Sequence, residues 1–180
     1  MKRMLLAFFF CTLAAFAGEN PAPANAASAC GPAGTNFVVK PGIAAADNIT
    51  PDSGKAVVYL VGHQVKQGGC LGGRYGCGAT ARIGVDGQWV GAIKGDMYLP
   101  LQVDAGEHHL CVRWQSVFAS RSDVITLAKL QLEAGKTYYY RVKILYVGDR
   151  DADMDIEPLD EDEARYQMSQ NAPAAWSEKK

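Results

Sequence analysis

Cys30, Cys70, Cys77 and Cys111, the three histidines and a run of alternating aspartates are the residues of this chain whose types could do chemistry. Six residues separate Cys70 from Cys77. That is not the Cys-x-x-Cys of a thiol oxidoreductase, and no βαβ pattern surrounds it. Zinc ligands could be drawn from His63, His108, His109 and the cysteines, but their spacing matches no compact zinc site. Neighbours on a strand point to opposite faces, so His108 and His109 would not chelate one ion as helical i, i+4 residues do. We expect His108 to lie with the core set and His109 outward with Cys111. Asp149, Asp151, Asp153 and Asp155 resemble the first ligands of a calcium loop. Met154 stands where that loop needs glycine, and Asp160 where it needs glutamate, so we read a solvated acidic turn. Arg113, Trp114 and Gln115 could line a binding face, but Trp114 shares its register with Leu110 and Val112 and reads as core. No Ser-His-Asp order, nucleophile elbow or phosphate loop is present. The residues predict no catalytic, cofactor-binding or metal-binding set.

The cysteines are then structural, which calls for an oxidising compartment. The first stretch supplies the route. Lys2 and Arg3 precede an apolar run from Met4 to Ala17, and Ala24-Asn25-Ala26 has the small-x-small pattern of a signal peptidase site. The run is shorter than the ~20 residues of a bilayer span. We read residues 1–26 as a signal peptide, with cleavage after Ala17 as the alternative. Ala27-Ser28-Ala29-Cys30 also resembles a lipobox, with Ala27 where leucine is usual, so lipid anchoring at Cys30 is an alternative to a periplasmic or secreted protein. Cys11 is lost in every version. Removing Lys2, Arg3 and Glu19 takes the net charge from -1 to -2. No basic stripe argues for nucleic acid, and no second apolar run argues for a transmembrane segment after cleavage.

These residues must be positioned by strands. Residues 27–54 are rich in Ala, Gly, Pro, Asn and Asp and read as an extended arm, with a short strand at Phe37-Val38-Val39. Lys55–Val61 is a compact β-branched and aromatic run and reads as a buried strand. From Gly62 to Gly78 seven of seventeen residues are glycine, which predicts a long surface loop. Thr80–Ala92 is a hairpin turned at Asp86-Gly87, where both positions favour φ > 0. Met97–Val103 is a strand that Pro100 marks as an edge. Asp104-Ala105-Gly106 turns the chain into His108–Gln115. Val124–Leu132 and the aromatic Thr137–Val147 follow, then a short strand at Asp153–Leu159. Asp160 starts a helix running to about Gln170, with Glu163 in capping-box position. Residues 171–180 read as a disordered tail. Strands at this density with glycine-rich turns predict an all-β fold: an antiparallel, Ig-like β-sandwich of seven or eight strands over 55–170, with one short C-terminal helix.

Four segments come in a telling order: Gly54-Lys55-Ala56-Val57-Val58-Tyr59-Leu60, Ile83-Gly84-Val85-Asp86-Gly87-Gln88-Trp89-Val90-Gly91, Ala105-Gly106-Glu107-His108-His109-Leu110 and Glu133-Ala134-Gly135-Lys136-Thr137-Tyr138-Tyr139-Tyr140-Arg141-Val142. In this the chain resembles the DUF2846 family of exported bacterial proteins, and its middle resembles the PEGA-type module. The resemblance covers roughly residues 54–160 and rests on turn and core signatures. It implies export, often with a lipid anchor, and no assigned catalytic site. The Cys/Gly insert at 62–78 departs from the pattern.

Four thiols allow three pairings. We expect Cys70–Cys77 inside the flexible loop and Cys30–Cys111 holding the arm to the sheet, with Cys77–Cys111 as the rival. The function expected is that of an exported, non-catalytic accessory module of the cell envelope. It would bind an envelope protein or glycan, or act structurally. The alternative is an envelope metal-binding protein or enzyme using the His and Asp residues.

Overall fold

Hydrophobic alternation and tight turns decide most of the elements. The computed structural model describes residues 30–43, 48–67, 80–115, 124–147 and 151–180. Within them run β1 Phe37–Pro41, β2 Lys55–Gln67, β3 Thr80–Val85, β4 Gln88–Lys94, β5 Tyr98–Asp104, β6 Gly106–Gln115, β7 Ile125–Leu132, β8 Thr137–Val147, β9 Asp151–Pro158, α1 Glu161–Gln170 and β10 Ala174–Glu178. Two four-stranded sheets form, in the orders β5-β2-β8-β9 and β4-β3-β6-β7, with a two-stranded ribbon β1-β10. The all-β sandwich with a short C-terminal helix is the fold observed.

One core fills the space between the sheets. Val58 and Leu60 of β2 and Val142 and Ile144 of β8 meet Ile83 of β3 and Leu110, Val112 and Trp114 of β6. Each fully buried side chain of this kind contributes about 1.5–3 kcal/mol. Trp114 is 3% exposed, so its register with Leu110 and Val112 does place it in the inter-sheet core. A second core lies on the outer face of the first sheet. There Val57, Tyr59, Val61 and Tyr139 pack beneath Leu159, Ala164 and Met168, which bring α1 down onto the sheet. The Tyr59 and Tyr139 rings stack with centroids 5.3 Å apart. Because β2 is covered on both faces, its sequence is a continuous apolar run rather than an alternating one.

Asp160 caps α1 by accepting from the amides of Asp162 and Glu163. Glu163 turns its carboxylate to Arg141 and Gln167. The capping residue thus starts the helix, and its third residue ties the helix to β8.

Three features differ from the sequence reading. First, β2 does not end at Val61. It continues through Gly62 to Gln67, because β8 runs alongside and pairs with it in parallel register from Val57↔Thr137 to Gln67↔Val147. This is a parallel pair inside an otherwise antiparallel set of pairings. Gly62 is needed there: a Cβ would lie 2.3 Å from the Gly95 carbonyl oxygen, and its amide donates to Met97 O. Second, residues 171–180 are not a disordered tail. They carry β10, which pairs with β1 from Pro41↔Ala174 to Phe37↔Glu178. The partner lies at the other end of the chain, so no local signal announced it. Third, Asp151, Asp153 and Asp155 belong to strand β9 rather than to an acidic turn. The two sheets of the sandwich hold eight strands, β2 to β9, within the number expected for 55–170, and the ribbon adds β1 and β10.

The Asp86-Gly87 hairpin and the Pro100 edge are as expected. Asp86 and Gly87 have φ of 49° and 82°, and β5 lies at the sheet's edge with β2 as its neighbouring strand.

Candidate functional site

Two turns meet at one pole of the sandwich. The β3–β4 hairpin turns at Asp86-Gly87, and β5 passes into β6 at Asp104-Ala105-Gly106, where the chain leaves one sheet for the other. Gly106 takes a φ of 138° at this corner, a conformation that suits glycine alone. Between the turns lies a cleft of about 220 Å³, whose walls come from both sheets. Val85, Val90, Leu101 and Val103 form its apolar part, and Lys55, Asp86, Gln102, Asp104 and His108 its polar part.

His108 sits at the centre of the polar part, two residues into β6. Its Nδ1 is 2.6 Å from Asp86 Oδ2 and its Nε2 is 2.8 Å from the Asp104 carbonyl oxygen. The other Asp86 oxygen accepts from the His109 amide at 2.8 Å. The His109 ring reaches the same carboxylate more loosely, with Nδ1 3.9 Å from Oδ1. Partial burial pushes the Asp86 carboxyl up. The hydrogen bond from His108, that from the His109 amide and the charges of both rings outweigh this and hold it below its ordinary value. Across the cleft Lys55 pairs with Asp104 at 3.6 Å, an exposed contact of little strength.

A carboxylate on a histidine is half of an acid–base device, since it orients the ring and leaves the far nitrogen for proton transfer. Here the far nitrogen is spent on a backbone carbonyl. The group therefore works as a brace between two turns.

No family model, curated protein or solved structure matches the chain.

The other residues singled out from the sequence are scattered. Cys30 and Cys111 form a disulfide across 81 residues of sequence, as expected, and Cys111 is therefore not a free thiolate ligand. Cys70, Cys77 and Asp149 lie outside the described residues. His63 is exposed on β2 and paired in register with Lys143, away from the other histidines. Asp153 and Asp155 accept from the next residue's amide. Among the described residues no group of three or more His, Cys, Asp and Glu is placed to hold a metal ion. His108 and Trp114 lie on the core side of β6 and His109 on the other, as alternation predicts.

The disulfide fixes the arm to the outer face of the second sheet. Trp89 Nε1 donates to Pro32 O, Arg82 Nη1 to Thr35 O, and Gln115 exchanges two hydrogen bonds with the Phe37 backbone. Gln115 is thus taken up by the arm rather than presented for binding. Burial lowers the Arg82 guanidinium from its ordinary value, and the charge of Arg113 adds to the effect.

Sequence reasoning treated Asp86 as a turn residue and Asp104 as a turn opener. It missed that both turns converge on His108. The only local signal was an Asp-Gly turn and a histidine near the start of the neighbouring strand. Their meeting depends on β3 and β6 pairing, with Val85 opposite Leu110.

Proposed function

We propose that the protein is an exported, non-catalytic β-sandwich accessory module of the cell envelope, which acts by binding an envelope protein or glycan. The observation that carries this reading is the internal use of the best chemical candidate: both nitrogens of His108 are engaged by the protein itself. The disulfide between Cys30 and Cys111 supports an oxidising address, in line with the signal read in residues 1–26. The resemblance of its segment order to that of DUF2846 proteins points to the same placement. Bonding of the Cys30 sulfur to Cys111 favours a chain without a lipid, because a thioether to diacylglycerol would need that sulfur. Among the described residues no helix is long and apolar enough to cross a membrane.

The test is expression with the native leader, followed by fractionation, intact mass and cross-linking to envelope extract. The reading expects a periplasmic or medium fraction, a chain beginning near Ala27, and recovery of a protein or glycan conjugate. A diacylglyceryl mass on Cys30 would move the protein to a membrane leaflet. Stoichiometric uptake of a divalent ion in calorimetry, lost in His108→Ala, would replace this reading with the metal-binding one.

A further inference from the structure

The surroundings of His108 demand a particular proton count. Both atoms facing its ring nitrogens are acceptors: a carboxylate oxygen at 2.6 Å and a carbonyl oxygen at 2.8 Å. A neutral imidazole has one N–H and one lone pair, whereas the imidazolium has two donors. Only the imidazolium makes both bonds, and a neutral ring must set a lone pair against an acceptor. We propose that His108 is a proton-operated latch, which as the imidazolium ties the β3–β4 turn to the β5–β6 corner and on losing a proton lets go of the corner.

The bond that breaks follows from the two acceptors. Asp86 is a carboxylate, and a charge-assisted hydrogen bond is roughly twice as strong as a neutral one. The remaining proton therefore stays on Nδ1, and Nε2 turns from donor to lone pair against Asp104 O. The two anchors belong to different sheets: Asp86 to the β4-β3-β6-β7 side and Asp104 to the end of β5. Releasing the bond to Asp104 O loosens the corner through which the chain passes between the sheets, beside the cleft. Imidazole is the side chain whose change of charge lies nearest neutral pH, which is what a proton-operated latch requires.

Other charges near the ring are few and known. Lys55 of β2 stands across the cleft and is drawn to the Asp104 carboxylate. His109 shares Asp86 from the opposite face of β6. Glu107 of the same strand is occupied by Lys129 of β7 and Gln131. Of these, only His109 is a second imidazole, and its ring is the looser partner of Asp86.

The corner carries its own reporter, because the Ala105 amide donates to Gly54 O. The experiment is NMR on the ¹⁵N-labelled mature chain across the histidine titration, following both His108 ring nitrogens and amide exchange at Ala105 and His109. The latch predicts two protonated ring nitrogens at the acid end, loss of the Nε2 proton on raising pH, and roughly tenfold faster Ala105 exchange beyond the intrinsic trend. The His109 amide, bonded to Asp86, stays protected. In His108→Gln, Ala105 exchange should follow the intrinsic trend alone. If that variant does not fold, the wild-type titration decides by itself. Loss of the Nδ1 proton first, or an Ala105 amide indifferent to the His108 titration, overturns the proposal.

Discussion

The Arg82 guanidinium carbon lies 5.0 Å from the centroid of the Trp89 ring, and both side chains donate to carbonyls of the same N-terminal arm. Arg82 is 6% exposed, and its Nη2 also reaches Trp114 O. A buried cation thus rests on an aromatic face and main-chain oxygens. Together with the disulfide, it holds the arm on the sheet.

Arg82→Ala should cost about 2–4 kcal/mol, since two carbonyls lose a donor and the stem leaves a void. Arg82→Met keeps the apolar stem and removes the buried charge, so its loss should be smaller. Urea melts of the two variants give the comparison. Equal losses would show that the stem contributes nothing to the packing.

Trp114→Ala should cost about 3–5 kcal/mol, the usual range for deleting a large aromatic from a core. A denaturant melt measures this. A loss under about 1 kcal/mol would mean that the ring does not belong to the inter-sheet core.

The Cys30–Cys111 bond closes a long ring and should stabilise by about 4.5 kcal/mol in the chain-entropy model. Replacing both cysteines with alanine should lower the urea midpoint accordingly, and adding reductant should then change nothing further attributable to this bond. Non-reducing peptide mapping must recover Cys30 joined to Cys111. A Cys77–Cys111 peptide instead would refute the pairing.

Gly62→Ala forces a methyl group against the Gly95 and Met97 carbonyl oxygens, at 2.3 and 2.8 Å. Backbone cannot yield as a side-chain tip does, so the loss should be about 1–3 kcal/mol or more. Gly54→Ala adds no such contact, although its φ of 79° strains an alanine. The mechanism is confirmed only if the Gly62 variant is the less stable of the pair in thermal melts.

Asp86 titrates below its ordinary value. Such a group stabilises the fold above its unfolded value of about 3.9 and loses that contribution as pH falls through the lower folded value. Acid should therefore loosen this pole. Asp86→Asn keeps the shape and tolerates the left-handed φ at this position. It should be less stable than the wild type near neutrality and show a flatter loss as pH falls below about 4. An unchanged acid limb would show that the Asp86 charge does not matter to stability.

Much of this molecule is legible from local pattern. Asp86-Gly87 selects a two-residue hairpin because both positions accept positive φ. The alternation of Leu110, Val112 and Trp114 names the core face of β6, and Asp160 marks the start of α1 through its capping oxygen. These signals act over a few residues, so a linear reading captures them. Other features are set by partners far along the chain. Gly62 looks like the start of a loop until β8 is laid beside it. Ala174–Glu178 looks like a tail until β1 supplies its hydrogen bonds. His108 looks like a strand residue until the pairing of β3 with β6 and the passage from β5 bring two acceptors to its ring. Sequence alone determined most strands, the turns, the helix cap and the core faces, because dihedral preference and hydrophobic alternation are local. Tertiary structure decided the parallel β2–β8 pair, the β1–β10 ribbon and the latch, because sheet partners are chosen by burial and hydrogen bonding between distant segments.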